Sequence, residues 1–221
     1  MPNVCFGVVI AKGVDNKKKI VEVAQFLEAE TVAIRQRLEG INLKEYTGVV
    51  PYREAFLSLG VNPNKYMSSV EALSKRIMKG NDLPQINTIV DLGNALSLKY
   101  MLPMGAHDIG KMDDSLEVRF AKPEDVFVPF GGGEPETPDA DELIYVSGNT
   151  VKTRRWIWRQ SENGKIDEDS KDILFPIDGF LDCNGEAVKA AQSELAELLK
   201  SLFGCDVVTG LLTKDNPSIS L

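Results

Sequence analysis

Histidine occurs once in these 221 residues, as His107, and cysteine three times, as Cys5, Cys183 and Cys205, with no CxxC pair. So few ligating side chains leave little to hold a transition metal. An odd number of widely separated thiols speaks against a disulfide framework and for free thiols in a reducing compartment. A basic excess is also missing. The net charge is −8, so the chain as a whole does not attract phosphates, and contact with nucleic acid rests on a local patch. DNA is therefore not expected as a partner. Long apolar runs are absent, the one near the start being interrupted by glycines and lysine, and Met1-Pro2-Asn3 lacks the basic segment of a leader. Walker, dinucleotide and nucleophile-elbow motifs do not occur. What remains, 43% hydrophobic and 26% charged residues, is ordinary for a globular protein. A cytoplasmic location with no membrane contact, no metal and no cofactor is expected.

The apolar pattern predicts the elements. Val4, Phe6, Val8 and Ile10 alternate over 3–11 and read as a strand. Ile20, Ala24, Leu27, Ile34 and Leu38 recur at helical spacing over 18–38, and Gly40 ends that run. Pro51 opens a short helix over 52–59. Ser68-Ser69-Val70-Glu71 is a capping box, with the Ser68 hydroxyl accepting from the Glu71 amide while the Glu71 carboxylate reaches back. Residues 86–100 read as a helix weakened at Gly93 and Asn94. Past Gly105 alternation takes over, at 116–120, 126–130, 143–146, 151–159 and 173–177, followed by a helix bearing Val188, Ala191, Leu195 and Leu199 and a last strand over 205–212. Helices early and strands late give an α+β class: a single domain over 1–221, with a mostly antiparallel β core at about 103–178 plus the ends, and flanking helices.

Four stretches carry polar chemistry. His107 and Asp108 are neighbours in extended chain, so their side chains point to opposite faces and adjacency does not make them an acid–base pair. Gly131-Gly132-Gly133 could cradle a phosphate on backbone amides, but the acidic residues from Glu134 to Glu142 would repel it; a mobile acidic loop, or a lid over a pocket, is the alternative. Lys152 to Gln160 interleaves cations with Trp156 and Trp158. As a strand it places both indoles on one face and Arg155 and Arg159 on the other, suited either to stacking on a single-stranded nucleic-acid end or to a plain core with a solvated basic face. Lys17-Lys18-Lys19 reads as a solvated helix start.

The order of motifs adds a resemblance. "NTIVDLGNALSL" with its continuation "PMGAHD", and later "VKTRRWIWRQSENGKIDEDSKDILFPIDGF", resemble a stand-alone version of the tRNA-binding and editing module of the bacterial phenylalanyl-tRNA synthetase β subunit, over roughly residues 45–182. The resemblance implies an α+β domain with a cleft that, in the family, hydrolyses tyrosine misattached to tRNA. Asp91, Asn94, Pro103, Ala106 and Asp108 fall on the family's letters. Gly93 replaces its threonine, Gly105 stands where its editing histidine belongs, and Arg159, Gln160 and Ser161 lie near its pocket glycines. Pro176 aligns near the glutamate that recognises the tyrosine hydroxyl. Tyrosine editing is therefore expected to be poor.

Hydrolysis of an aminoacyl ester needs chiefly a positioned water and a stabilised oxyanion. Asn94 is the candidate oxyanion donor, and His107, about 7 Å along an extended chain from Gly105 and on its face, the candidate replacement for the lost histidine. Asn87, Asp91, Gly105, Arg159 and Gln160 are the candidate substrate-binding residues; Asn87, Asp91, Asn94, His107 and Arg159 are expected to line one cleft. Lys152, Arg154 and Arg155 are the candidate RNA contacts, weak and salt-sensitive. Three readings stay open. The first is deacylation of a mischarged tRNA in trans, engaging the acceptor end. The second is binding of a free amino acid or related small metabolite without chemistry. The third is a plain nucleic-acid-binding domain, which the acidic net charge disfavours.

Overall fold

A computed structural model describes residues 3–220; Met1 and Pro2, on which the reading of the chain start partly rests, lie outside them. Among the described residues, two antiparallel sheets and five α-helices make the expected α+β fold. The first sheet joins β1 (Val4–Lys12), β2 (His107–Asp108), β7 (Ile173–Phe180) and β8 (Asp206–Leu212) in the order β2-β7-β1-β8. The second joins β3 (Leu116–Phe120), β4 (Leu143–Ser147), β5 (Thr150–Arg154) and β6 (Arg159–Gln160) in chain order. The helices are α1 (Val21–Arg37), α2 (Val50–Ser58), α3 (Ser69–Met78), α4 (Thr88–Tyr100) and α5 (Gly185–Leu198).

β1 alternates as read, yet both of its faces are covered. Phe6, Val8 and Ile10 pair with Asp178, Pro176 and Leu174 of β7 on the face toward the second sheet. Cys5, Val9 and Ala11 point the other way into the main core, because β1 and β7 lie between layers and α5 covers their far side. The helix comes very close. A Cβ on Gly7 would stand 2.8 Å from Val188 Cγ1, and one on Gly179 closer still to the same side chain, so only glycine fits there. The main core runs through both sheets and the helices, with Val9, Leu92, Trp156, Phe175 and Leu195 in one cluster, while Leu27, Ile34, Val70, Ile77 and Leu98 form a second core among the helices.

Three local expectations change. The Ser68 hydroxyl accepts from the Glu71 amide at 3.4 Å, but the Glu71 carboxylate turns to Arg53 at 2.7 Å rather than reaching back, since a buried acid gains more from a cation than from an amide. α4 runs through Gly93 and Asn94 without a break: with Ile89, Leu92, Ala95, Leu96 and Leu98 buried, packing outweighs local propensity. The expected strand over 151–159 divides. Arg155 (φ 44°) and Trp156 (φ 60°) take left-handed backbone, the Trp158 amide bonds back to the Arg154 carbonyl, and the chain returns as β6. Trp156 is consequently buried while Trp158 is half-buried, so the two-face argument for a continuous strand does not hold. Residues 126–130 make only isolated bridges, Val126 to Thr150 and Phe127 to Glu136. Among the described residues no helix is long and apolar enough to cross a membrane, and the three cysteines are free, only Cys183 being exposed.

Candidate functional site

A break in the first sheet opens the site. The Gly105 amide donates to the Pro176 carbonyl at 3.0 Å and the Asp178 amide to the Pro103 carbonyl at 3.0 Å. The reciprocal bond from residue 176 is missing because proline has no N–H. At this gap, with the turn between β5 and β6 on its other side, lies a cavity of about 100 Å³ walled by Gly105, His107, Tyr145, Thr153, Trp156 and Asp178 and bordered by Arg159, Gln160 and Pro176.

Asp178 is the one carboxylate among the cavity's walls, and it is 2% exposed. Tyr145 donates its hydroxyl to Oδ1 at 2.7 Å and Trp156 its indole N–H to the same oxygen at 2.6 Å. Oδ2 accepts no hydrogen bond among the described residues and is not fully enclosed. Burial pushes the carboxyl up to about 7, against the pull of those two donors. Burial likewise holds the Tyr145 phenol well above its ordinary range, with Asp178 adding to it, so Tyr145 remains a donor.

His107 enters the cavity as well. Its ring lies 5.7 Å from that of Tyr145, tilted by 30°. Burial, helped by the charge of Lys152, pushes the imidazole down to about 4, so it is neutral at neutral pH. Nδ1 is buried without a partner. A Cβ on Gly105 would stand 3.2 Å from His107 Nε2 and 3.2 Å from Pro176 Cγ; the histidine thus occupies room that a side chain at 105 would need. Gly164 separates the ring from Lys152, its would-be Cβ lying 3.5 Å from both His107 Nδ1 and Lys152 Cβ.

Of the candidate residues, Gly105, His107, Arg159 and Gln160 come together here. Gln160 braces the wall by donating to the Ala106 carbonyl at 2.8 Å and the Gly164 carbonyl at 2.9 Å. Arg159 is exposed and pairs with no carboxylate among the described residues. Asn87, Asp91 and Asn94 do not join them, which corrects the expected single cleft. Asn87 caps α4, accepting from the Val90 amide at 3.0 Å and donating to the Ile166 carbonyl at 3.3 Å. Asp91 accepts from the Ile86 amide at 3.0 Å. Asn94 sits half-buried within α4 and lines neither cavity described here. These side chains lie on a capped, continuous helix, and two of them serve its own start.

The candidate RNA contacts need correcting too. Lys152 is buried, with Nζ donating to the Lys111 carbonyl at 2.8 Å and the Asn163 carbonyl at 3.3 Å. Arg154 grips Glu142 through Nε at 3.0 Å and Nη2 at 2.7 Å, and Glu136 through Nη1 at 2.6 Å. Arg155 pairs with Asp139 and lies 3.8 Å over the Tyr66 ring. The acidic segment after the glycines is therefore the counter-ion of this basic turn and lines neither cavity, so it is no lid over them. The Gly131 amide already holds the Glu162 carboxylate at 3.0 Å, where a phosphate reading had placed a ligand. Charges that look free in one dimension neutralise each other in three.

Nothing in the composition points to Asp178, Tyr145 or Thr153, yet one signal exists: Asp178 is the sole charge in Ile173–Phe180, a strand buried along its whole length. A lone carboxylate in such a run needs a reason. A larger cavity of about 590 Å³ lies between the sheets, walled mainly by Phe6, Val8, Leu116, Val118, Leu174 and Leu212. It shares Tyr145 and Pro176 with the first but holds none of the candidate residues.

Known proteins resemble this chain. A phenylalanine–tRNA ligase β subunit of Fusobacterium nucleatum is 24% identical over 195 residues, an alignment that takes in 85% of this chain and 22% of that protein. The chain thus spans about a fifth of the length of that relative. An N-terminal fragment of the phenylalanyl-tRNA synthetase β-subunit from Pyrococcus horikoshii superposes with a TM-score of 0.46 at 11% identity, covering 91% of this chain and 46% of that one. The B3/4 domain family matches residues 51–204, well over half of the sequence and both walls of the small cavity, and the chain belongs to that family.

Proposed function

We propose that the chain is an amino-acid-recognition module of the aminoacyl-tRNA editing type, whose cavity takes a small amino-acid moiety from the acceptor end of a tRNA. The observation that carries this reading is the cavity's place and size. It lies on Gly105, Pro176 and the Arg159–Gln160 pair, the positions that resemblance equates with the editing pocket of the synthetase. Its volume of about 100 Å³ falls short of the ~150 Å³ cavity that admits benzene, which favours an alanine- or serine-sized side chain over a phenol. Gly105 and Pro176 also offer no side-chain partner to a tyrosine hydroxyl at the two positions that the resemblance equates with the family's histidine and glutamate, which weakens selection for it there. With Asn94 outside the cavity, activation of water would fall to the neutral imidazole of His107, a weak base well placed to accept a proton. Binding of the tRNA itself would be weak and would fade with salt, since among the described residues Arg159 is the cation left free at the mouth.

The test is a deacylation panel on tRNAs carrying alanine, serine, glycine and tyrosine, with His107→Ala alongside. The expected result is release of a small amino acid, slowed in the variant, and no acceleration for tyrosine. Rapid clearance of tyrosine would overturn the reading. A second reading, binding of a free small amino acid without chemistry, is favoured by the unpaired Arg159 guanidinium, which can clamp a carboxylate. Saturable binding of free alanine or serine with no hydrolysis of any ester would select it.

A further inference from the structure

We propose that Asp178 is the counter-ion for a primary ammonium group in the cavity, so that the ligand is an amine and neutral isosteres are rejected. The assignment deepens the small-amino-acid reading and rests on it. Among the described residues, buried carboxylates as a rule have a basic partner. Glu71 pairs with Arg53 at 2.7 Å, Asp125 with Arg119 at 2.7 Å, Glu142 with Arg154 at 2.7 Å and Asp108 with Lys111 at 3.4 Å. The two exceptions are Asp91, whose carboxylate receives a backbone N–H and borders neither cavity, and Asp178. A buried carboxylate is tolerated when paired or neutralised, and the chain supplies Asp178 with two neutral donors only.

The arrangement of those donors matters. An ionised carboxylate offers about four acceptor sites on two oxygens, and Tyr145 and Trp156 both use Oδ1. Oδ2 is left without a partner on a residue that walls the cavity. An ammonium brings three N–H donors. One meets Oδ2, and the Thr153 and Ser69 hydroxyls, which border the same cavity and make no side-chain hydrogen bond among the described residues, can accept the others. Trp156 is held at a φ of 60°, left-handed backbone that is unfavourable for a non-glycine residue. That conformation delivers its indole N–H to Asp178, the sort of strain that collects at ligand sites. A small cavity caps the group's substituents, and a fixed carboxylate at its wall selects its charge.

Alaninamide and lactamide, which differ in an ammonium against a hydroxyl, are the probes. Wild type and Asp178→Asn are titrated with each near neutral pH in amine-free buffer. The indole N–H resonance of Trp156 is followed by NMR, since that proton is bonded to the carboxylate in question and reports even millimolar binding. Asparagine keeps a carbonyl oxygen for Tyr145 and Trp156, so the variant retains the bonds that hold the site. Alaninamide is expected to bind wild type at least about 30-fold tighter than lactamide and to lose at least about 30-fold in Asp178→Asn, the lower range for neutralising one partner of a buried charge pair; lactamide should change by less than about threefold. Equal affinity of wild type for the two amides, a comparison that needs no variant, or unchanged alaninamide binding in Asp178→Asn overturns the ammonium assignment and leaves the small-amino-acid reading standing. Failure of both amides to bind wild type overturns the two together.

Discussion

Replacing Asp178 by asparagine should change how stability depends on pH, and the structure sets the size of the effect. Burial holds the Asp178 carboxyl at about 7, against an ordinary value of 3.8, so the folded chain keeps a proton that the unfolded chain releases. A group whose pKa is raised on folding contributes stability that is fully present below its unfolded value and is lost as pH rises through its folded value. Here the window runs from about 4 to about 7. Asparagine does not titrate and takes over the same two hydrogen bonds. Between about pH 5 and pH 8 wild type crosses roughly two units of that window, so at 1.36 kcal/mol per unit it should lose about 2.7 kcal/mol relative to Asp178→Asn. The other titrating groups, His107 included, are common to both proteins and largely cancel in the comparison. Urea unfolding of each protein at the two pH values, in amine-free buffer with no ligand, measures the difference. Stability curves that stay parallel from pH 5 to pH 8 would refute the reasoning, for they would mean that Asp178 is ionised and solvated or already paired in the folded chain.

Three further outcomes follow from named contacts. The imidazole of His107, pushed down to about 4 by burial, should remain neutral through pH 5 in an NMR titration. Since its folded pKa lies below its unfolded value, protonation favours unfolding, and stability should fall as pH drops from about 6.5 toward 4; a midpoint near 6.5 would contradict the buried placement. Arg154→Ala strands the Glu142 carboxylate inside the protein and should cost about 3 kcal/mol in chemical denaturation, the lower end for a broken buried pair, because Arg155 stays 3.6 Å from Glu142; a loss below about 1 kcal/mol, the scale of an exposed pair, would place these arginines on the surface. Gly93→Ala should raise stability by roughly 0.5–1 kcal/mol, since beyond its chain neighbours and its own helix backbone nothing lies within 4 Å of where its Cβ would stand; destabilisation would show that this space is occupied.

The α+β class and most elements were legible in the sequence because apolar periodicity and glycine stops act over a few residues. Ser68 and Gly40 mark local events, and each falls at the end of a helix as read. Gly105 and His107 were legible as a pair because extended backbone sends alternate side chains to one face, and both border the cavity. Pairing across the chain was not legible. Lys152, Arg154 and Arg155 look like a basic patch until Glu136, Asp139 and Glu142 fold onto the arginines. The turn at Arg155–Trp156 needs left-handed backbone that no local rule predicts for arginine and tryptophan, and it is held by the Glu142 carboxylate on the Arg155 amide at 2.9 Å. Asp178 is the sharpest case. As a letter it is one acid among 33 acidic residues. Only the docking of the two sheets, which brings Tyr145 and Trp156 onto one of its oxygens and shuts out water, makes its charge costly enough to matter. Sequence determines which side chains a strand presents on each face; the tertiary structure decides which of them lose solvent and which partners they meet, because desolvation and pairing depend on distance in space and not along the chain.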